Sequence, residues 1–442
     1  MKKIILTLNN LSNKNFILSS SIIVIIASMS GNVFAYLFQL LAGRYLSIED
    51  YGRLTSLFSL SGIIPLITGL ILGALPKIVA EIKDIDYPKR ISHLFLTLFY
   101  YCLSASIIVT LILFLGQKSI LSYLNIDDHN VIQAFSIAVG AGILISFMTP
   151  FLQGLLRFKA FSFITIIAAF LKLCVILFII IFELGVAGLL KGQGEIYNGV
   201  YYIFIGLAIT TIIIGLLTFI LLRKNLKLSI EKIDYTDLKT LIKYSGFSAL
   251  GLIGINLMQN IDSIVVKNLF DETTAGLYGS TTVIGKIIFY AASPVAIVML
   301  PICSQKFKQG QNFVKPFALS LGIGLFISLC GAIIYTLVPE LFINILFGGK
   351  YLAVSSYLPL YSLYMVIFTM MNFLTMFLIS ISKFKLSSLP LFASLLQFIC
   401  LQFFSSSINE IIMYSIITSL TATIPLIIFA TKISLQNRHI ID

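Results

Sequence analysis

Apolar residues in this chain run in long unbroken stretches and do not alternate with polar ones. Windows of about 20 residues, the length needed to cross a bilayer core as a helix, predict twelve spans. They cover 16–41, 52–75, 91–115, 130–153, 160–182, 198–222, 242–268, 277–302, 314–338, 356–378, 386–405 and 409–431. No period-2 alternation of the barrel type is present, so the spans are expected to be α-helices whose backbone groups bond within each segment. The connections are short and no soluble domain is inserted. The longest, Arg223 to Lys243, mixes basic and apolar residues and suits an interfacial helix joining two halves.

Repeats sharpen this outline. A shift of 224–226 positions lays Asn32 on Asn256, Gly52 on Gly276 and Pro76 close to Pro301, and lays "FLQGLLRFKA" (151–160) on "FLISISKFKL" (377–386). A shift of six spans returns the second copy to the same orientation, so the repeats are parallel and related by an axis along the membrane normal. The expected architecture is all-α and integral to the membrane, with about twelve helices in two six-helix bundles related by a pseudo-two-fold. The boundaries are 1–222 for the first bundle, 223–243 for a cytoplasmic linker and 244–442 for the second bundle. Ser47, with Asp50 three residues on, and Asp271 are placed to cap the second and eighth helices.

Composition fits this class. The chain is 58% hydrophobic and 11% charged, where a soluble domain carries about 25% charged residues. The net charge of +12 is not gathered in a patch of the kind a nucleic acid would need. The 30 lysines and arginines lie mostly in alternate connections and in the two tails, which places both termini in the cytoplasm. The opposite face carries the acidic pairs Glu49–Asp50, Asp127–Asp128 and Asp271–Glu272. An apolar first segment ending in "VFA" faintly resembles a secretory signal, but its length favours an uncleaved span. The five cysteines and three histidines are scattered, and no metal-ligand spacing, phosphate loop or nucleophile motif is found. No cofactor and no catalytic residue are expected.

Three ionisable residues stand inside the spans. Lys172 lies in "AAFLKLCVILFII", about 18 Å along the fifth helix at 1.5 Å per residue. A lysine there costs about 2.5–3.5 kcal/mol on insertion scales. Asp262 and Lys286 sit at similar depth on consecutive spans. They either pair with each other or meet substrate directly. At the repeat offset Asp262 falls on Phe38, Lys286 on Gly62 and Lys172 on Phe398 or Gln397. Scaffold features thus recur while these charges do not, which favours function over fold. Lys172 is expected to face a water-filled cavity and attract a phosphate or an acidic sugar as a point charge. Asn32, Tyr36, Asn256 and Asn260 are polar positions that coincide pairwise under the repeat. They serve as helix-packing groups or as a polar face for sugar hydroxyls. Arg44 and Arg53, beside Glu49 and Asp50, form either a gate network or a solvated cluster.

The stretches "LLAGRYLSIEDYGRLTSLFSL", "INLMQNIDSIVVKNLFDETTAGLYGST" and "ILFGGKYLAVSSYLPLYSL" resemble polysaccharide repeat-unit flippases of the Wzx type. These belong to the multidrug/oligosaccharidyl-lipid/polysaccharide (MOP) exporter superfamily. The resemblance implies a MATE-like fold and the transfer of an undecaprenyl-pyrophosphate-linked glycan from the cytoplasmic to the outer leaflet of a bacterial inner membrane. It further implies alternating access with coupling to a proton or sodium gradient, and work beside a polysaccharide polymerase and a chain-length regulator, for O-antigen or capsule. Arg44 matches the arginine common at the end of the first helix. The rival within the superfamily is an ion-coupled multidrug antiporter, which would want acidic cavity residues. Two lysines against one aspartate favour an anionic cargo. A glycosyltransferase would need positioned carboxylates, and a channel a ring of repeated selectivity residues.

Overall fold

The computed structural model describes residues 14–64, 75, 76, 79, 87–191, 196, 198–223 and 236–441. The N-terminal tail, the end of the second expected span and most of the expected interfacial linker lie outside the described residues. Among those described, every regular element is helical. In chain order they are α1 (Lys14–Tyr45), α2 (Ile48–Ile63), α3 (Tyr87–Leu115), α4 (Gln117–Leu124), α5 (His129–Ile145), α6 (Met148–Gly154), α7 (Phe158–Lys191) and α8 (Gly199–Leu222). There follow α9 (Thr236–Leu269), α10 (Glu272–Lys308), α11 (Val314–Leu337), α12 (Pro339–Leu346), α13 (Leu358–Ser380), α14 (Leu389–Phe404) and α15 (Ile408–Ile441), with a 3-10 helix at Gly349–Ser356 and a one-turn helix at Phe384–Ser387 beside them.

Ten stretches among the described residues are long and apolar enough to cross a membrane. The second and seventh expected spans correspond to α2 and α9. The latter is diluted by Asn256, Gln259, Asn260, Asp262 and Lys267. The chain is a multi-pass membrane protein. Two features differ from the expected spans. The fourth is broken at Ser146–Phe147 into α5 and α6, and short amphipathic helices, α4 and α12, follow the third and ninth spans. Each of these short helices is too short to cross a bilayer, and the expected third and ninth spans, 91–115 and 314–338, end just before them.

By contact the chain forms two compact units. One comprises Met1–Tyr45, Ile67–Ile120 and Asp128–Tyr244; the other comprises Leu46–Leu66, Leu121–Asp127 and Ser245–Asp442. The stretches Leu46–Leu66, which holds α2, and Leu121–Asp127, which holds the end of α4, thus group by contact with the later part of the chain.

In the first unit α1 lies along α7, and α5 packs against both α3 and α8. Its core gathers Phe95, Phe147, Phe151 and Leu152 with Leu94, Leu98 and Ile164, all buried. The Phe95 ring sits 5.1 Å from Phe147 and 5.5 Å from Phe151. In the second unit α10 contacts α2, α11 and α13, and α13 is the most enclosed span. Phe317 of α11 stacks on Phe377 of α13 at 3.9 Å. The outer face of α11 carries the exposed side chains Leu319, Phe326 and Ile333, as a helix in contact with lipid chains would.

The overlay of 151–160 on 377–386 recurs in the backbone. Leu156 and Ser382, 226 positions apart, both take left-handed φ values, 58° and 59°. Each ends its helix with the same two bonds, Arg157 N to Leu152 O (3.1 Å) with Leu156 N to Gln153 O (2.9 Å), and Lys383 N to Leu378 O (2.9 Å) with Ser382 N to Ile379 O (3.0 Å). This is the Schellman termination, built twice without the usual glycine. The predicted caps also form. Asp50 N donates to Ser47 Oγ at 3.0 Å, and Thr274 N to Asp271 Oδ2 at 3.0 Å.

Candidate functional site

In the first unit one cavity brings together two of the residues singled out in the sequence. Ser28, Gly31, Asn32 and Ala35 follow the spacing i, i+3, i+4, i+7 and share one face of α1. Thr165, Ala168, Ala169 and Lys172 follow the same spacing on α7. The small residues let the helices approach, with the Cα hydrogen side of Gly31 turned to Thr165 and Ala169. Between these faces, with Thr149 and Ile214 completing the wall, lies a cavity of about 500 Å³ that includes Asn32 and Lys172. That is within the range of small-molecule sites, about 300–1,000 Å³. Thr165 spends its hydroxyl proton on Phe161 O at 2.9 Å, so towards the cavity it is an acceptor.

Lys172 stands near the middle of the span Phe158–Gly185. Its Nζ lies 4.7 Å above the centre of the Phe38 ring. An aromatic face attracts a cation electrostatically, and this contact helps to fix where the ammonium stands. Tyr36, one turn beyond Asn32, is partly exposed. Arg44 is also partly exposed and sits in the last turn of α1, where a cation complements the helix dipole. Neither lines the cavity that holds Lys172.

The second unit treats its charge differently. Asp262 is fully buried. Its Oδ2 accepts hydrogen bonds from Tyr278 (2.9 Å) and Tyr361 (3.2 Å), and its Oδ1 accepts one from the Ser263 backbone N–H (2.8 Å). Gly285 makes the room that Tyr361 fills, since a Cβ there would overlap the ring. The Ser263 hydroxyl, 3.4 Å from Oδ1, is a fourth donor to the same carboxyl. The alternative that Asp262 pairs with Lys286 is not realised. Among the described residues the two make no ion pair, because the phenols occupy the carboxylate and Lys286 lies partly exposed on α10. Asp262 therefore sits behind tyrosines in this structure, away from any open surface.

Asn256 and Asn260 come together one turn apart on α9. The Asn260 amide donates to Asn256 O at 2.8 Å and to its Oδ1 at 3.1 Å. Gly62 of α2 approaches the same amide, which lies 3.1 Å from where a Cβ would stand.

A cluster the sequence only half revealed lies at the start of α2 and α10. Arg53 pairs with Asp50 at 3.2 Å and with both oxygens of Glu272 at 2.9 Å. Lys267, with no exposed side-chain surface, reaches Glu272 at 3.2 Å and Asn125 O at 3.1 Å. Sequence reasoning placed Arg53 and Asp50 together but missed Lys267, which reads as a span-end lysine, and Tyr278 and Tyr361, which read as core. The regular small-residue spacing on α1 and α7 was the signal available for the cavity.

Comparison with known proteins agrees with this fold. The fold superimposes on an inward-facing multidrug resistance MATE family transporter of the MOP superfamily with a TM-score of 0.71. The sequence identity is 13%, and 92% of this chain and 96% of that one are covered. The lipid II flippase MurJ in an inward closed conformation gives a TM-score of 0.69 at 14% identity, over 94% and 90% of the two chains. An uncharacterized membrane protein of Methanocaldococcus jannaschii is 26% identical over 299 residues, 64% of this chain and 67% of that protein. The fold is thus MATE-like, as the family resemblance implies. The family described as polysaccharide biosynthesis protein matches residues 17–307, well over half of the sequence, and the chain belongs to that family.

Proposed function

We propose that this protein flips an undecaprenyl-pyrophosphate-linked oligosaccharide from the cytoplasmic to the outer leaflet of the plasma membrane by alternating access, for surface polysaccharide assembly. The observation that carries the reading is the cavity shared by Lys172 and Asn32 in a chain of the polysaccharide biosynthesis family. An ammonium at mid-span recognises a phosphate as a point charge. The neighbouring amide and hydroxyl oxygens suit phosphate-proximal sugar hydroxyls. The cargo's lipid tail stays in the bilayer, so the site has to hold only its polar part. Orientation follows the lysine and arginine distribution, with both termini cytoplasmic.

Coupling to a proton or sodium gradient, and co-operation with a polysaccharide polymerase and a chain-length regulator, belong to the same proposal. Asn256, Asn260, Tyr36, Arg44 and Lys286 are assigned to the transport path as further polar contacts. Nothing in this scheme requires bond-making chemistry, so we assign no catalytic residue.

The test is deletion of the gene. Lipid-linked repeat units should accumulate on the cytoplasmic face while surface glycan is lost. Intact surface glycan without accumulation would refute the reading. A second reading, a multidrug antiporter, draws on the MATE likeness and the buried Asp262. It predicts that purified protein in vesicles moves a cationic dye and leaves the lipid-linked glycan in place.

A further inference from the structure

A triplet of cation, phenylalanine and lysine occurs three times in this chain, at 157–159, 306–308 and 383–385. Each adjoins a helix that stops at a left-handed residue. Leu156 and Ser382 immediately precede the first and third triplets. Gly310 follows the second, with Gln311 N donating to Lys306 O (2.9 Å) and Gly310 N to Phe307 O (3.2 Å). The first and third triplets are repeat mates. The second falls within 80–84 at the repeat offset, a stretch without phenylalanine, so the repeat does not account for it.

The second and third triplets lie in the same compact unit, at the same end of it. The Phe307 ring stands 5.3 Å from Phe313, at the start of α11, and Phe313 stands 6.1 Å from Phe377, in the last turn of α13. The Cys303 thiol donates to Phe313 O at 3.6 Å, which folds the α10–α11 connection back on α10. Phe307, Lys308, Lys315, Lys383 and Lys385 are exposed, and Lys306 and Phe384 are partly so. Neither 303–316 nor 377–390 contains an Asp or a Glu. Among the described residues, none of these five ammonium groups makes a hydrogen bond or an ion pair.

The needs of the fold explain only part of this charge. Lys306 and Lys308 stand in the last turn of α10, where a cation complements the helix dipole. Lys315 stands in the first turn of α11, where a cation opposes it. Lys383 and Lys385 flank Phe384 at a hollow of about 360 Å³ formed by 382–386. The first unit uses its triplet otherwise. There Arg157 donates to Leu221 O in the last turn of α8 and so serves a helix end. Its repeat mate Lys383 is exposed at the hollow instead.

Resting on the membrane orientation proposed above, we propose that this end of the second unit binds an anionic phospholipid of the cytoplasmic leaflet. Lys383 and Lys385 take the headgroup phosphate at the hollow as point charges. Lys308 and Lys315 extend the positive field over the same surface. Phe307 and Phe384, at the ends of their spans, rest among the upper acyl carbons as the apolar part of an interfacial site. Ring and ammonium groups alternate in both triplets, so phosphate and acyl chain are met together. That combination fits a lipid better than a free phosphate.

The test is native mass spectrometry of the full-length chain in detergent with added phosphatidylglycerol or phosphatidylcholine. Phosphatidylglycerol should be retained at least about tenfold better. Each lysine beside an anionic lipid contributes about fivefold, so Lys383→Gln with Lys385→Gln should weaken retention about 25-fold. Arginine at both positions should keep it, and Lys159→Gln in the first unit should leave it unchanged. Equal retention of the two lipids, or an equal loss in Lys159→Gln, would overturn the proposal. Displacement of phosphatidylglycerol by glycerol phosphate, or by equimolar undecaprenyl pyrophosphate, would overturn it in favour of a free-phosphate or a cargo site. Lys383→Cys should react with an impermeant thiol reagent only after cells are opened, and reaction in intact cells would refute the choice of leaflet. A parent protein that retains phosphatidylglycerol yet flips no lipid-linked glycan would sink the flippase reading and leave the lipid site standing.

Discussion

Lys172→Met separates a functional charge from a structural one, because the two roles predict opposite signs. Methionine keeps the length of the stem and removes the ammonium. The lysine stands at the centre of a 28-residue span, where its insertion costs about 2.5–3.5 kcal/mol. The Phe38 ring, 4.7 Å from Nζ, returns about 0.5–2 kcal/mol as a cation–π contact. Removing the charge relieves that cost and loses the cation–π contact, and if the role is in transport the melting temperature should stay close to the parent's. Cargo binding should suffer instead. A hydrogen bond to a charged phosphate contributes about 1.5–3 kcal/mol, so flipping should slow about 10- to 150-fold. The assays are thermal unfolding of the purified protein and the initial rate of lipid-linked oligosaccharide flipping in proteoliposomes. A clear loss of melting temperature with normal flipping would refute the reasoning and make Lys172 a structural group. Lys172→Arg, which keeps the charge, should fall between the two.

Other perturbations test the remaining parts. Tyr278→Phe and Tyr361→Phe each take a donor from the buried Asp262 carboxylate and should each destabilise by about 1–3 kcal/mol. The former should cost more, because its bond is shorter, 2.9 Å against 3.2 Å; chemical denaturation in detergent gives the order. Gly276→Val drives a side chain into the Ile48 carbonyl and should cost about 1–3 kcal/mol. The control Gly142→Val, where a Cβ meets nothing within 4 Å, should melt close to the parent. Asp271→Ala removes the cap of α10 and should cost about 1 kcal/mol. Hydrogen bonds from the Thr274 side chain and backbone hold the Asp271 carboxyl below its ordinary 3.8. A depressed folded-state value contributes stability above the unfolded value and loses it as pH falls through the folded one. The melting difference between Asp271→Ala and the parent should thus be constant at neutral pH and close below about pH 4.

Much of this protein was written along the chain. The apolar runs dictate membrane helices, because buried peptide groups in hydrocarbon have to bond within their own segment. The 224–226 offset gives the repeat, and the structure returns it as paired left-handed residues at Leu156 and Ser382. Caps at Ser47 and Asp271 are local events, decided by a side chain and the amide three residues on, and so were open to a reader of sequence. The short helices α4 and α12 were not, since each has 8 residues and falls below the window of about 20 that finds a span.

Side-chain partners across helices lay beyond the sequence altogether. Nothing local distinguishes Asp262 held by Tyr278 and Tyr361 from Asp262 paired with Lys286, because depth along a helix says nothing of rotation about it. Tertiary packing chose the tyrosines, with Gly285 opening the space for one of them. The same rotation turned Lys172 towards Asn32 and Phe38. The pattern of apolar residues made Lys172 conspicuous by its cost in hydrocarbon. Only the close approach of two small-residue faces, one on α1 and one on α7, decided that it would meet a cavity, because van der Waals fit sets how neighbouring helices turn.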